Sequence, residues 1–386
     1  MINISGFLGV AIPILIFLCI LGVVIAIHEF GHFIMARRCG IFVEEFALGM
    51  GPKLIAIRGK KEAKYIRPNE ENVTLYTLRL FPIGGFCRMR GMDESADSEN
   101  AVQEDTDAMY NKTVWQRMLV IVGGSLMNFL LGFILFLVLT MLQGYSTTDI
   151  RRFHEGSPAQ QAGIQVGDRI THIDGSRVTY VHNYQFMLEL SNGQPVEVRV
   201  DRNGQALDFV VTPMNVADLF FDLGAVLTRR AGFLNWNDPY VQYRITFAGT
   251  IINAGESIMF NVRAPFRILM RFVRRQHIPE DAGLMGPIGM GGAVTQIYQQ
   301  SMEHRGVLET ALTMFMFMAI INVALGLMNM LPIPALDGAR LVFLSIEAVR
   351  RKPIAPEREG MVHFVGLVVL LVLAVFIAYQ DIVNLL

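Results

Sequence analysis

The sequence His28-Glu29-Phe30-Gly31-His32 stands at the end of an uncharged apolar run that extends from Phe7 to Ile27. Two imidazoles four residues apart lie on one face of a helix, where both can bind a single zinc ion. The glutamate between them is placed to act on water bound to that ion. Ionisable side chains at the edge of hydrocarbon are costly and therefore usually functional. The motif predicts a catalytic zinc site at the end of a membrane span; the alternative is a charged juxtamembrane cluster without metal.

The composition indicates an α-helical polytopic membrane protein that carries some soluble mass. Of its 386 residues, 52% are hydrophobic and 17% are charged. The first apolar run is too long for a signal-peptide core and lacks a basic n-region, so we expect it to be retained. The net charge of −1 gives no reason to expect nucleic acid as a partner, and the three cysteines form no metal-binding pattern. Four stretches are long and apolar enough to span a bilayer: Phe7 to Met35, Met118 to Leu142, Ala311 to Leu331, and Val362 to Ala378.

The distribution of lysine and arginine predicts the orientation of these spans. The residues before the first span carry no basic charge, whereas the loop after it is strongly basic and therefore cytoplasmic. The loop after the third span is also basic, which places it on the same side. The long segment between the second and third spans then lies outside the cytoplasm. The basic residues of the first loop are Arg37, Arg38, Lys53, Arg58, Lys60, Lys61, Lys64 and Arg67.

A β-hairpin is predicted after the first span. Residues 73–79 alternate in the manner of a strand, and Phe81-Pro-Ile-Gly-Gly-Phe86 follows them with turn residues. Its apolar content predicts association with the membrane near the histidine pair. The strand edge at Gly84, Gly85 and Phe86 could then pair with an extended substrate segment. An ordinary surface hairpin is the alternative. Asp93 to Asp107, acidic and polar, is predicted to be a linker.

Residues 150–213 have the composition of a small soluble domain. Gly156-Ser-Pro-Ala and Gly167-Asp-Arg-Ile170 precede two alternating segments, Pro195 to Val200 and Leu207 to Thr212. This order closely resembles a PDZ domain, an α+β fold. The resemblance implies a peptide or chain-terminus ligand bound by strand addition.

A helix with one apolar side is predicted between Tyr240 and Gln276. Its arginines lie opposite the apolar residues, which is typical of a helix in the membrane interface. The alternative is a fifth span, Ile245 to Val262, which would invert the two spans that follow. The apolar stripe consists of Val262, Phe266, Leu269, Met270 and Val273, and the arginines are Arg263, Arg267, Arg271, Arg274 and Arg275.

A catalytic zinc site needs a third protein ligand, and Asp337 is the candidate. The third span ends in Asn329-Met-Leu-Pro-Ile-Pro-Ala-Leu-Asp337-Gly338, where Pro332 and Pro334 interrupt the helix. Asp337 is the only acidic residue between Glu309 and Glu347. The first and third spans both run inward, so their ends meet near the cytoplasmic face. A simple turn at Asp337-Gly338 is the alternative.

With these paired motifs, the chain resembles the site-2 protease family of intramembrane zinc metalloproteases, in its bacterial branch with the regulator of sigma-E protease. Gly124 to Asn128, Gly84-Gly85 and Gly286 to Gly289 also match. The resemblance implies Zn²⁺ bound by His28, His32 and Asp337, with Glu29 as general base and then acid. It also implies that Asn329 holds the substrate backbone or polarises its carbonyl. One PDZ domain instead of the usual tandem pair is a departure from that branch.

The predicted function is cleavage of single-span membrane proteins within the lipid bilayer after a prior extracytoplasmic cut. Anti-sigma factors or signal-peptide remnants are the kind of substrate that the resemblance implies, in the inner membrane of a bacterium. The alternatives are a non-catalytic PDZ-bearing peptide receptor and a metal transporter. The roles of Asn128 and His363 stay open. The predicted parts are 1–149 with two spans and the hairpin, 150–214 as the PDZ domain, 215–305 as the interfacial region, and 306–386 with two more spans.

Overall fold

The computed structural model describes residues 4–60, 72–92, 106–216, 220–234, 243–274, 286–352 and 354–385. Its helices are α1 (Ile4–Arg38), α2 (Val114–Gln143), α3 (Pro158–Gln161), α4 (Val181–Ser191), α5 (Phe247–Val273), α6 (Pro287–Met330), α7 (Asp337–Arg350) and α8 (Pro356–Leu385). Its strands are β1 (Val43–Arg58), β2 (Leu75–Met89), β3 (Gly144–Phe153), β4 (Arg169–Ile173), β5 (Ser176–Arg177), β6 (Val196–Arg202), β7 (Gln205–Val211), β8 (Met214–Val216), β9 (Phe220–Asp222), β10 (Ala225–Ala231) and β11 (Tyr243–Arg244).

Two compact units make up the chain. The helical unit contains Met1–Gly132 and Leu284–Leu386, and the α+β unit contains Phe133–Gly283. The predicted linker 93–107 lies outside the described residues, apart from its last two positions.

Four of the described helices are long and apolar enough to cross a membrane, as predicted. These segments are Gly9–Arg38, Val114–Gln143, Ile288–Met330 and Glu357–Val383. Helix α5 is not among them, so the alternative of a fifth span gains no support.

The third span begins earlier than predicted. Helix α6 starts at Pro287 instead of near Ala311, and Gly306 interrupts it with φ 79° and ψ 179°. Glycine adopts this left-handed φ without a steric penalty. The polar sequence Glu303-His304-Arg305 next to the break hid the first arm of the helix from a search for apolar runs.

In the helical unit, α1 and α2 approach each other closely at a pair of glycines. A Cβ atom on Gly31 would lie 2.2 Å from the carbonyl oxygen of Gly123. Small residues permit such contact between spans. The backbone of α2 therefore lies directly beside the histidines of α1.

A β-sheet follows α1 in the same unit, and both of its strands bend sharply. Residues 45–48 of β1 pair with residues 85–88 on one side and with residues 75–78 on the other. Residues 53–58 pair again with residues 75–79. The two outer segments are therefore 53–58 and 85–89. The predicted hairpin is present, but β1 is a partner strand that the alternation did not reveal, because Gly49, Gly51 and Pro52 interrupt it.

Glu45 fixes the middle of this sheet. Its buried carboxylate accepts hydrogen bonds from Thr77 Oγ1 at 2.7 Å and from Arg79 Nη2 at 2.8 Å. Burial alone would raise the pKa of Glu45, but the hydrogen bonds from Arg79 and Thr77 lower it below its ordinary value. The charged carboxylate thus stabilises the folded sheet above the pKa that it has in the unfolded chain, and protonation at acidic pH removes this contribution.

The α+β unit contains a mixed sheet in the order β11-β10-β3-β4-β6-β7, with β5 paired to β4. Its core includes Ile150, Ile170, Leu188 and Val198, which are completely or almost completely buried. The sheet extends beyond the predicted range 150–214 at both ends, because β3 begins at Gly144 and β10 ends at Ala231.

Helix α5 turns its polar side toward this unit and its apolar side outward. Thr250, Asn253 and Ser257 are buried, and Thr140 Oγ1 donates a hydrogen bond to Asn253 Oδ1 at 3.0 Å. Arg271 donates to the carbonyl oxygen of Leu190 in the last turn of α4. The exposed apolar side chains include Ile252, Phe266, Leu269, Met270 and Val273. This arrangement suits a helix whose outer face meets lipid.

The variant Glu45→Ala tests whether Glu45 stabilises the sheet of β1 and β2. The change leaves the donors of Thr77 and Arg79 without their acceptor and should destabilise the sheet by about 1–3 kcal/mol. Hydrogen exchange of the amides of β2 in detergent should become faster. Glu44→Ala is the matched control, because the Glu44 side chain is partly exposed, at 42%, and ion pairs of exposed carboxylates contribute little. Equal exchange rates in the two variants would contradict the role of Glu45.

Candidate active site

Three side chains from two distant parts of the chain converge in the helical unit. Nε2 of His28 lies 3.0 Å from Oδ2 of Asp337, and Nε2 of His32 lies 3.2 Å from the same oxygen. The two Nε2 atoms are 3.2 Å apart. One ligand atom from each residue lies within 4.8 Å of the others, so the three can hold one metal ion. Both histidines are buried, with 6% and 7% exposure.

Asp337 reaches the histidines because the chain folds back on itself after α6. A Cβ atom on Gly338 would lie 2.0 Å from the carbonyl oxygen of Leu331, so only glycine fits this close return. Ala335 has a left-handed φ of 76° inside the loop. Burial by itself would raise the pKa of Asp337, but contacts with His28 and His32 lower it below its ordinary value. These contacts favour the charged carboxylate, which is the form that binds metal ions.

Helix α2 orients both imidazole rings. Nδ1 of His32 lies 2.9 Å from the carbonyl oxygen of Val120, which only accepts hydrogen bonds. Nδ1 therefore carries the proton and leaves the Nε2 lone pair for a metal. The amide of Asn128 lies 3.4 Å from Nδ1 of His28, and its buried oxygen has no partner within the described residues. Rotation of this amide turns the oxygen toward Nδ1–H, which satisfies both groups.

Glu29 lies against the edge of the sheet. Its carboxylate interacts with the backbone N–H of Cys87. A Cβ atom on Gly85 would lie 3.3 Å from Cγ of Glu29, so the backbone of the sheet lies next to the glutamate. Nδ2 of Asn329 is 3.3 Å from Nε2 of His28. The predicted amide is thus beside a ligand atom of the cluster, and the predicted base Glu29 interacts electrostatically with His28, His32 and Asp337.

The hairpin residues have different surroundings. Gly85 is next to Glu29, whereas Gly84 faces the side chain of Met50 and has φ 86°. Phe86 packs under Arg79, with the guanidinium carbon 4.8 Å from the ring centroid. Of these three predicted residues, Gly85 is the one whose surroundings include Glu29.

The donor set and the available space fit a zinc ion. Two imidazoles and one carboxylate are ordinary zinc ligands, and three ligands leave a coordination position open. Gly124 keeps this space free, since a Cβ atom there would lie 2.5 Å from Nε2 of His32 and 2.8 Å from Nε2 of His28. Sequence reasoning gave neither Gly124 nor Val120 a role at the metal site; the Gly123-Gly124 pair within an apolar span was the available signal, and a backbone carbonyl gives none.

Comparison with known proteins identifies the family. A model described as peptidase family M50 matches residues 16–373. The chain belongs to peptidase family M50. This M50 chain is 27% identical to the regulator of sigma-W protease RasP of Bacillus subtilis, over 96% of this chain and 98% of that protein. It is 28% identical to the zinc metalloprotease RasP of Oceanobacillus iheyensis, over 95% and 97% of the two chains.

A third relative is a putative zinc metalloprotease of Clostridium perfringens, 31% identical over 93% of this chain and 95% of the relative. The resemblance to site-2 proteases is confirmed, and the M50 chain is a zinc metalloprotease that uses Zn²⁺.

The site geometry predicts a strong effect of Gly124→Ala. The added methyl group would occupy the space beside both Nε2 atoms, so zinc content and proteolysis should both fall by at least about tenfold. Gly360→Ala in α8 is the matched control, because no atom lies within 4 Å of a Cβ atom there. Metal analysis of the purified variants in detergent measures the effect. A fully loaded Gly124→Ala protein would show that this space is not needed.

Proposed function

We propose that this M50 protease cleaves peptide bonds within membrane-spanning segments of other proteins, with His28, His32 and Asp337 as zinc ligands. The observation that carries the proposal is the cluster of three ligand atoms at the ends of helices long and apolar enough to span a bilayer. Polar groups at such depth are tolerated where protein buries them or where they line a wet cavity. A substrate bond brought to this cluster would lie at membrane depth.

The residues around the cluster have separate chemical tasks. When bound, zinc supplies Lewis acidity that lowers the pKa of water to about 7 and polarises a carbonyl. Glu29 takes the proton from the attacking water and later delivers it to the leaving amine. The backbone N–H of Cys87 interacts with the Glu29 carboxylate and helps to orient it. The amide of Asn329, next to His28, donates to the carbonyl oxygen of the substrate.

The substrate must be extended before it is cut, because the bonds of a helix are shielded. Segment 85–89 is an outer segment of the sheet, and β1 occupies only one of its sides within the described residues. Strand addition at its other side would place a substrate near Glu29, since a Cβ atom on Gly85 would lie 3.3 Å from Cγ of that residue. The sheet edge at Gly84, Gly85 and Phe86 is therefore our proposed substrate support.

The α+β unit suits a PDZ domain that binds peptides or chain termini. Its antiparallel strands β4, β6 and β7 with helices α3 and α4 support this proposal. The basic loop after α1 supports an orientation with the active site near the cytoplasmic face and the α+β unit outside, in a bacterial inner membrane. The substrates would then be single-span proteins already shortened outside, such as anti-sigma factors or signal-peptide remnants.

Neither of the two alternative functions, a peptide receptor or a metal transporter, explains the candidate active site. A peptide receptor needs neither the buried ligand cluster nor Glu29 beside it. A metal transporter needs polar residues in series across the spans, whereas the described cluster of potential metal ligands is at the ends of α1 and α6.

Glu29→Gln tests the catalytic proposal. The amide has the same size and shape as the carboxylate, but it cannot take a proton from water, so cleavage should fall by more than about 100-fold. Zinc content should stay at one ion per chain. Cleavage of a model single-span substrate in detergent gives the rate, and the exposed Glu155→Gln is the matched control. Turnover at the rate of the control would refute the role of Glu29.

A photoreactive phenylalanine derivative at position 86 tests strand addition. In a Glu29→Gln background that retains the substrate, this probe should form a covalent adduct with it, because residue 86 is in the outer segment beside Glu29. The same derivative at Ile57, in the opposite outer segment and exposed, is the control. Equal adduct yields at the two positions would exclude the proposed edge.

A further inference from the structure

Helix α8 contacts the rest of the helical unit through a narrow stripe that includes the polar residues His363 and Asp381. Most of its side chains are exposed, as expected for a span surrounded by lipid. Gly366 and Asp381 are buried, and His363 is half-buried. His363 and Asp381 are separated by five helical turns and therefore lie on the same face. The two polar groups make specific contacts with opposite ends of α6.

At one end, Asp381 caps the start of α6. Its Oδ2 accepts a hydrogen bond from Gly289 N–H at 2.8 Å, and its Oδ1 accepts one from Gly286 N–H at 3.3 Å. The N-cap residue Gly286 has no side chain that could do this. A carboxylate is stabilising at a helix N-terminus, where backbone N–H groups lack partners. Asp381 therefore fixes the beginning of α6 against α8.

At the other end, His363 holds the loop between α6 and Asp337. Its Nδ1 accepts a hydrogen bond from the backbone N–H of Ala335 at 3.0 Å. A backbone N–H can only donate, so the proton of the neutral ring is on Nε2, and Oε1 of Glu359 lies 3.8 Å from that nitrogen. The ring of Phe343 packs against the imidazole, with the two centroids 5.8 Å apart.

Gly366, one turn further along α8, completes this contact. A Cβ atom there would lie 2.1 Å from Cβ of Pro334 and 2.9 Å from its carbonyl oxygen. The loop is thus packed against α8 without space for a methyl group. Ala335 has a left-handed φ, a conformation that persists in a non-glycine residue only where the surroundings enforce it. His363 and Gly366 are the surroundings that contact residues 334 and 335.

We propose that His363 is a positioning residue for the metal site, which it serves by fixing the loop that presents Asp337. This inference rests on the zinc site proposed above. Asp337 follows Ala335 by two residues, so freedom in the loop becomes freedom of the carboxylate relative to the His28 and His32 rings. The role differs from that of Asn128 and Val120, which orient the imidazoles and not the carboxylate.

Zinc competition with a chelator tests the proposal on the full-length protein in detergent. His363→Ala should lower zinc affinity by about tenfold, and kcat should fall while KM for a single-span substrate is unchanged. His363→Asn should restore most of the affinity, because its side-chain oxygen lies near the position of Nδ1 and accepts from Ala335 N–H. His363→Gln places its oxygen too far along the side chain and should behave like alanine.

Gly366→Ala is a second variant that disturbs the loop between α6 and Asp337, and it does so without changing a polar group. Its methyl group should displace Pro334 and weaken zinc binding, whereas Gly360→Ala on the same helix should not. The Asn and Gln variants decide the question if His363→Ala does not fold. Unchanged zinc affinity in His363→Ala, or equal affinities of the Asn and Gln variants, would overturn the proposal. Failure of the unmutated protein to bind zinc would instead refute the site itself.

Discussion

The contact between Asp337 and the two histidines of α1 joins residues more than 300 positions apart, and the other features of the helical unit serve it. Charged and polar groups at the ends of membrane spans are stable only if they have partners. The close approach of α1 and α2 at Gly31 and Gly123 supplies the carbonyl of Val120. The break after α6 supplies the carboxylate. Each element thus contributes one partner to a polar cluster that no single helix could stabilise.

Much of this cluster could be predicted from sequence because its residues have strong local signatures. A histidine pair at helical spacing fixes two ligands on one face, and two prolines with an isolated aspartate mark an opening in a span. The inward direction predicted for both spans then places the two pieces at one depth. None of these inferences required knowledge of side-chain packing. The four spans were recognisable for the same reason, since a long apolar segment has few alternatives to a membrane helix.

What could not be predicted depends on contacts without a residue signature. Strand β1 was missed because three turn residues break its alternation, although its pairing with β2 creates the outer segment beside Glu29. The first arm of α6 was missed because charged residues border Gly306. The ring orientation of His32 depends on a backbone carbonyl, which any residue possesses. The contact of His363 with Ala335 links positions 28 residues apart through a loop whose conformation follows from tertiary structure.

Helix α5 turns its polar side inward and its apolar side outward, and this arrangement affects how the isolated α+β unit behaves in water. Thr250, Asn253 and Ser257 are turned inward, and the outer surface presents a row of large aliphatic and aromatic groups. A recombinant fragment that retains this helix should self-associate in plain buffer and require amphiphiles to remain dispersed. Deleting the helix would instead leave Thr140 and the final carbonyls of α4 without their partners. Neither truncation yields a well-behaved water-soluble module, so ligand screening for this portion belongs in nanodiscs or micelles.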